Sequence, residues 1–425
     1  VNICRVPLSA ARLDPLALLT LPAFESTLGR FAWLSPEGRG RAVVGVGIAR
    51  QRQGWPLVSG DLVGAGDAPW FVTCPFSADA AASPSAAWSE FHPPTALFPE
   101  VMLTVDDDGA WLNVAGPSDE STLLDDAREL AAALAAAEDV PPEPAPRSLH
   151  AGSPFAPAEA DVLHARVTAA LAAIASGEVQ KVVVATAHTT QLAQPADPVA
   201  LLRRLRSAQP GCFLYLVEPV PGKAFLGATP ERLVAVSGSQ ARTMALAGSA
   251  RRGQNAADDS ALGASLLDSA KDRAEHQLVV DELRVVLAPM ASEMDVPDAP
   301  RLKQLATIQH LETPITATLP AQGDVLDLAG RLHPTPALAG TPREAALAVI
   351  HELEGNARGW YGGLVGWADA AGNGDLSVAI RCLLLDGDSA TAFAGAGIVA
   401  GSDPEREVAE IGLKLGVALG ALGGG

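Results

Sequence analysis

The chain has 425 residues, room for one large domain or two to three ordinary ones. With 48% hydrophobic and 19% charged residues it can bury a core, which excludes a disordered polypeptide. A net charge of -19 with no Lys/Arg-rich run excludes a nucleic-acid surface and requires that any anionic ligand be neutralised locally, by a metal or a few fixed cations.

Residues 1–150 read as a mostly β region, with strand-like runs at 41–49, 69–74 and 101–114. The last of these turns at Asp106-Asp107-Asp108-Gly109. An Ala/Leu-rich helix covers 121–138. Pro141-Pro142-Glu143-Pro144-Ala145-Pro146 then breaks the chain and is the linker candidate. Beyond it come an amphipathic helix over 157–177, a buried strand around Val182-Val183-Val184 and a short helix at 201–208. Strands at 213–217 and 224–228 flank a Pro-Gly turn. A long helix lies within 261–289 and another over 344–358, followed by strands at 362–367, 376–385 and 390–393. Strands mixed with segregated helices favour an α+β fold over a doubly wound one. The four cysteines (Cys4, Cys74, Cys212, Cys382) have no paired spacing, and no apolar run approaches a membrane span. The expectation is a cytoplasmic protein with neither membrane nor nucleic acid as a partner.

The most informative run is 393–414. A Gly-rich turn after a β-run leads into a helix that carries Glu407, Glu410 and Lys414 on one face. Paired carboxylates repel unless a divalent metal lies between them or one holds a proton. Asp272 and Glu275 form a second acidic pair at i, i+3, either a solvated helix face or part of the same cation site. Lys181 heads a buried strand, where it is either an edge residue reaching for solvent or a desolvated base. Glu231 follows Pro230 in a turn, either as turn decoration or as a general acid whose pKa neighbouring carboxylates raise. Leu246-Ala247-Gly248-Ser249 offers small-residue backbone to a carboxylate. Arg381, in an apolar strand, needs an anionic partner, and His310 is a further polar candidate.

In order, these clusters resemble the chorismate-utilising enzymes, which include isochorismate synthases, salicylate synthases and the large subunits of anthranilate synthases. The resembling residues are Lys181-Val-Val-Val, Gly227-Ala-Thr-Pro-Glu231, Leu246-Ala-Gly-Ser249, Glu275-His276, His310-Leu311, His333-Pro-Thr-Pro-Ala337-Leu338, Arg358-Gly-Trp-Tyr361 and Ala379-Ile-Arg381. The series ends with Ala394-Gly-Ala-Gly-Ile-Val399, Glu407, Glu410 and Lys414, so it covers roughly 155–420. The first 150 residues match only through Trp88-Ser-Glu-Phe91 and nearby aromatics. Within the family the likeness is to isochorismate synthases of siderophore and menaquinone type. Lys181 stands where water-using members have a Lys and ammonia-using members a Gln, and Ala337-Leu338 stands where salicylate synthases tend to begin with Thr. Thr186 departs from the family's usual Arg.

The resemblance implies the anthranilate synthase component I fold: two antiparallel sheets packed around the active site, helices outside. Residues 1–150 would be a variable part and 151–425 the catalytic region of a single structural domain. It implies a Mg²⁺-dependent isomerisation of chorismate to isochorismate, with Lys181 as base and Glu231 as acid. Glu275 and Glu410 would bind Mg²⁺ directly, Asp272 and Glu407 through water. Tyr361, Arg381, Lys414 and the backbone of Gly395 and Gly397 would hold the enolpyruvyl end, opposite the metal. Ala247, Gly248, Ser249 and His310 would meet the ring, and Ala337 and Leu338 complete the substrate site. Chorismate would be the small-molecule partner of a monomer with no obligate glutaminase subunit.

Overall fold

A computed structural model describes residues 2–9, 13–36, 41–62, 68–77, 86–91, 93, 95–137, 155–355 and 358–423. The strands before residue 138 are β1 (Asn2–Leu8), β2 (Arg30–Leu34), β3 (Ala42–Val46), β4 (Arg50–Gln53), β5 (Trp70–Cys74), β6 (Thr95–Phe98), β7 (Val101–Asp106) and β8 (Gly109–Gly116). Helices α1 (Glu120–Ala136) and α2 (Pro157–Ala175) follow, then β9 (Lys181–Gln191), α3 (Pro198–Ala208), β10 (Phe213–Val220), β11 (Lys223–Thr229), β12 (Arg232–Ser237) and β13 (Gln240–Arg251). Next come α4 (Ala256–Asp268), α5 (Ala270–Leu287), β14 (Glu293–Asp295), β15 (Arg301–Gln304), β16 (Ile308–Thr318), α6 (Val325–Leu332), β17 (Gly340–Thr341) and α7 (Arg343–Glu354). The chain finishes with β18 (Leu364–Ala368), β19 (Gly374–Val378), β20 (Cys382–Asp386), β21 (Ser389–Val399) and α8 (Pro404–Leu419).

Among the described residues these strands build two sheets, one ordered β1-β8-β7-β3-β2-β10-β11-β20-β21-β9-β17 and the other β14-β16-β13-β12-β19-β18-β5-β6-β4, with β15 beside β16. Neighbours pair antiparallel. The α+β expectation is met. Each sheet takes strands from both sides of 138–154: β2 pairs with β10 in the first, β5 with β18 in the second. The Pro-rich run 141–146 and the boundary at 150 lie outside the described residues.

The sheets face each other across an apolar layer. Phe31 of β2 meets Phe71 of β5 with ring centroids 5.5 Å apart, and Trp33 Nε1 donates to Ser377 Oγ of β19 at 3.2 Å. Each such fully buried aromatic contributes roughly 1.5–3 kcal/mol by leaving water. Helix α5 packs on β13 of the second sheet and also reaches β21 of the first, on which α8 packs.

Three local readings are corrected. The long helix within 261–289 is two, α4 and α5, because Ser269 adopts extended backbone (φ -67°, ψ 112°) and its side chain caps α5 by accepting from Asp272 N. The 376–385 strand is also two. β19 ends at Val378 in one sheet and β20 starts at Cys382 in the other, and Arg381 sits in the crossing with φ 54°. Gly395 and Gly397 lie within β21 rather than in a turn, and the turn follows at 400–403.

Candidate active site

Helix α8 begins as its sequence dictates. Asp403 accepts from Arg406 N at 3.0 Å and Pro404 occupies the first turn, where no N–H is needed. That start places Glu407, Glu410 and Lys414 on the face that meets β21 and α5. Lys414 Nζ lies 2.7 Å from Glu410 and donates to Gly395 O at 2.9 Å. Burial pushes the Glu410 carboxyl up, but Lys414 and Lys271 outweigh it and hold it below its usual range. On α5, Asp272 and Glu275 present the second acidic pair to the same region.

Lys181 is 0% exposed and sits mid-sheet, paired with Val399 of β21 on one side and Thr341 of β17 on the other. It cannot be an edge residue reaching for water. Its Nζ is 3.1 Å from Glu275 Oε1, yet off the angle a hydrogen bond needs, so the ammonium has no directed partner. Gly397 makes room for this pair: a Cβ there would fall 2.2 Å from Glu275 Oε1 and 2.7 Å from Lys181 Cε.

Glu231 is buried, and its carboxyl is pushed up to about 7. The cause differs from the expected one. Desolvation does it, and the charged neighbours (Lys181, Lys414, Arg381 and Lys303) are cations that pull the other way.

Arg381 is also buried. Its Nη2 lies 2.6 Å from His310 Nε2, and its Nη1 has no partner. A guanidinium only donates, so His310 Nε2 accepts and the ring proton is on Nδ1. That Nδ1 lies 3.1 Å from both Gly248 O and Ser249 Oγ. Burial first, and then Arg381, push His310 well below the usual imidazole range, consistent with a neutral ring. Ser249 in turn lies near the Glu410 carboxyl and helps to hold it below its usual range. Hydrogen bonds therefore join Arg381, His310 and Ser249 in series. The series depends on a bulge in β13 at Gly248 (φ 73°), which breaks the register with β16 and turns the Gly248 carbonyl and Ser249 side chain toward His310.

Around these groups is a narrow cavity of about 70 Å³ lined by Glu231, Ala247, Gly248, Ser249, Glu275, His310, Ala337, Leu338, Tyr361, Arg381, Gly395, Gly397, Glu410 and Lys414. The structure thus brings together nearly all the residues singled out in the sequence. Lys181 lies outside the lining, behind Glu275. Asp272 and Glu407 lie outside the lining, behind the Glu275 and Glu410 carboxylates. Pro230, Val183, Leu246, Ile380, Phe393 and Ala394 complete the lining; none has a titratable side chain to mark it in the sequence. Trp88 of the N-terminal part packs on Phe393 at 5.8 Å and so backs one wall. The volume is below the roughly 300–1,000 Å³ of a typical small-molecule pocket, so the walls must part to admit one. A larger cavity, about 680 Å³, opens beside α1 among mainly apolar side chains and contains none of these groups.

Lys414, assigned to the enolpyruvyl end, pairs with the metal candidate Glu410, and Gly397 abuts Glu275. The sequence reading also gave no role to Lys271. Its Nζ lies 2.8 Å from Glu407, 3.8 Å from Glu275 and 3.8 Å from Asp272. The signal was there, since Lys271 precedes Glu275 by four residues on one helix face. Among the described residues no three His, Cys, Asp or Glu side chains form a ready metal array, and the Lys271 side chain lies among these carboxylates. The donors themselves, all carboxylate oxygens, suit a hard divalent cation. No described helix is long and apolar enough to cross a membrane.

A "Putative isochorismate synthase" of Aeromonas hydrophila is 45% identical over 265 residues, 62% of this chain and 67% of that protein. The menaquinone-specific isochorismate synthase MenF of Escherichia coli superposes with a TM-score of 0.81 at 26% identity, covering 99% of this chain and 94% of that one. Anthranilate synthase component I from Streptococcus pneumoniae shares the fold, with a TM-score of 0.68 at 20% identity over 97% of this chain and 98% of that one. A family profile described as chorismate binding enzyme matches residues 58–423. The chain belongs to the chorismate binding enzyme family.

Proposed function

We propose that this protein is an isochorismate synthase, converting chorismate to isochorismate. The carrying observation is a fully buried amino group without a directed hydrogen-bond partner, Lys181, behind the Glu275 wall of a cavity that also exposes a carboxyl pushed up to about 7 by burial, Glu231. The reaction needs one group of each kind. Lys181, as the free amine, takes a proton from water as the water oxygen bonds ring C2. The ring double bonds shift, the C4–O bond breaks, and Glu231 gives its proton to the leaving hydroxyl. Water in and water out balance, and proton exchange resets the two side chains. Each group contributes about 10²–10⁴-fold by general acid–base catalysis.

Arg381, with one guanidinium nitrogen held by His310 and the other unpartnered, clamps a substrate carboxylate together with Lys414 and Tyr361. Glu275 and Glu410 would hold Mg²⁺ directly, with Asp272 and Glu407 behind them. When bound it supplies charge neutralisation and a fixed seat for the ring carboxylate. The β2–β10 and β5–β18 pairings support reading the variable 1–150 part and the 151–425 catalytic region as one structural domain. It acts in the cytoplasm as a monomer without a glutaminase subunit.

Incubation with chorismate and Mg²⁺, with products identified by NMR, tests the reading. Isochorismate is the expected product. Salicylate with pyruvate as the main enzyme-dependent products would make the protein a salicylate synthase, and absence of turnover with any divalent metal would make it a binding protein.

A further inference from the structure

We infer that Lys271 is a tethered counter-ion that holds the place of the divalent cation in the free protein and leaves when the metal arrives. The inference rests on the metal reading given under Proposed function. Four carboxylates, Asp272, Glu275, Glu407 and Glu410, converge from α5 and α8. Like charges so close in a partly buried site need compensation at all times, not only when substrate is present. Glu410 has Lys414, and Glu275 has Lys181 at 3.1 Å. Glu407 is buried, and its cationic partner among the described ion pairs is Lys271, at 2.8 Å. The same ammonium is 3.8 Å from both Asp272 and Glu275, so one nitrogen neutralises carboxylates of both helices.

That position is where a cation bridging α5 and α8 would lie, and the two cannot share it. Lys271 can yield. Its side chain is 28% exposed, against 0% for Lys181, so its flexible stem has a route to water that Lys181 lacks. Its backbone stands in the first turn of α5, so rotation about the side chain requires no change in the helix.

The exchange has an electrostatic consequence. Replacing a singly charged ammonium with a divalent cation adds one positive charge at the site, and a ring carboxylate brings one negative charge. Metal and substrate therefore strengthen each other's binding, and the metal alone binds weakly because it must first expel Lys271. The ammonium also holds α5 and α8 together while the site waits, so a divalent ion is not needed for folding.

The test uses Mn²⁺ alone as probe, followed through the EPR signal of the free ion, on the full chain and on Lys271→Met. Removing a unit charge a few ångströms from the carboxylates is expected to tighten Mn²⁺ binding about tenfold or more in the absence of substrate. In the variant the metal adds two positive charges where it adds one in the wild type, so added chorismate should improve Mn²⁺ binding more than it does in the wild type. A second measurement needs no variant. The sequence has only five lysines (181, 223, 271, 303 and 414), so acetylation of each is separable by mass spectrometry. Saturating Mg²⁺ should raise labelling of Lys271 several-fold and leave Lys223 unchanged. Equal or weaker Mn²⁺ binding by Lys271→Met, or Lys271 labelling unmoved by Mg²⁺, overturns the counter-ion role while leaving a metal site standing. Failure of both proteins to take up Mn²⁺, even with chorismate, overturns the metal reading and this inference with it.

Discussion

Two buried ion pairs flank β9, and they are built in opposite ways. Arg358 and Glu354 form a closed unit: Arg358 donates to Glu354 at 2.7 and 2.9 Å, to Leu338 O at 2.7 Å and to Val183 O at 2.8 Å, and Glu354 also accepts from Ala185 N at 2.8 Å. Its guanidinium carbon lies 4.3 Å from the centre of the Phe76 ring. This pair ties β9, α7 and the 335–338 turn together and leaves nothing over for a ligand. Lys181 and Glu275 touch at 3.1 Å without a hydrogen bond, and the lysine has no other directed partner. A saturated buried charge is part of the scaffold. An unsaturated one, left without hydrogen-bond partners in the free protein, is what the proposed base requires.

The comparison breaks if the two lysine- and arginine-centred pairs respond alike to truncation. The largest effect expected is from Lys181→Ala, a loss of turnover of about 10²–10⁴-fold with chorismate binding retained, measured by steady-state rates and calorimetry. Near-normal turnover would remove Lys181 from the role of base. Arg358→Ala should instead cost about 3–5 kcal/mol of stability, because it strands Glu354 in the interior. Denaturant melts would show this as a lowered midpoint, with a smaller loss for Lys181→Met.

Glu231 sharpens the same contrast through pH. Its carboxyl sits near 7 in the folded protein against 4.5 in the unfolded chain, so between those values the folded state binds more protons. The stability associated with its protonation is complete below pH 4.5 and is lost as pH rises through about 7. Glu231→Gln should therefore melt higher than wild type at pH 8, by about 3 kcal/mol, and match it near pH 4.5. In the wild type, kcat/KM should fall on the alkaline side of about pH 7 as the acid deprotonates, and an unchanged profile would count against Glu231. The smallest effect is expected from Gly397→Ala, which presses a methyl group onto Glu275 and Lys181. Displacement of about 1 Å there should cost turnover on the order of 10²-fold with little change in melting. Wild-type turnover would show that the pair tolerates movement.

Much of this site was legible in the chain. Glu407, Glu410 and Lys414 share a helix face by spacing alone, and Asp403-Pro404 marks where that helix starts. Lys181 and Glu231 were identifiable as unusual charges in apolar strands and turns. Other properties were not local. Arg381 read as a strand residue because its flanks are apolar, and only the two-sheet arrangement shows that the chain must change sheets there, which puts φ at 54°. The sign of the Glu231 environment was misjudged because its neighbours come from β9, β15, the β19–β20 crossing and α8, segments whose meeting no spacing announces. Lys271 was given no role, because only the packing of α8 brings Glu407 to it.

The sequence by itself determined most element types, the family and the candidates for the reacting groups, since periodicity, caps and turn residues act over a few positions. Tertiary structure decided which charges are left unpaired. Lys181 and Arg358 are both buried cations next to glutamates. What separates a reagent from a strut is whether backbone carbonyls from other elements reach the cation, as Val183 and Leu338 reach Arg358 and none reaches Lys181. That is fixed by packing across the fold, because a hydrogen bond depends on distance and angle between groups far apart in the chain.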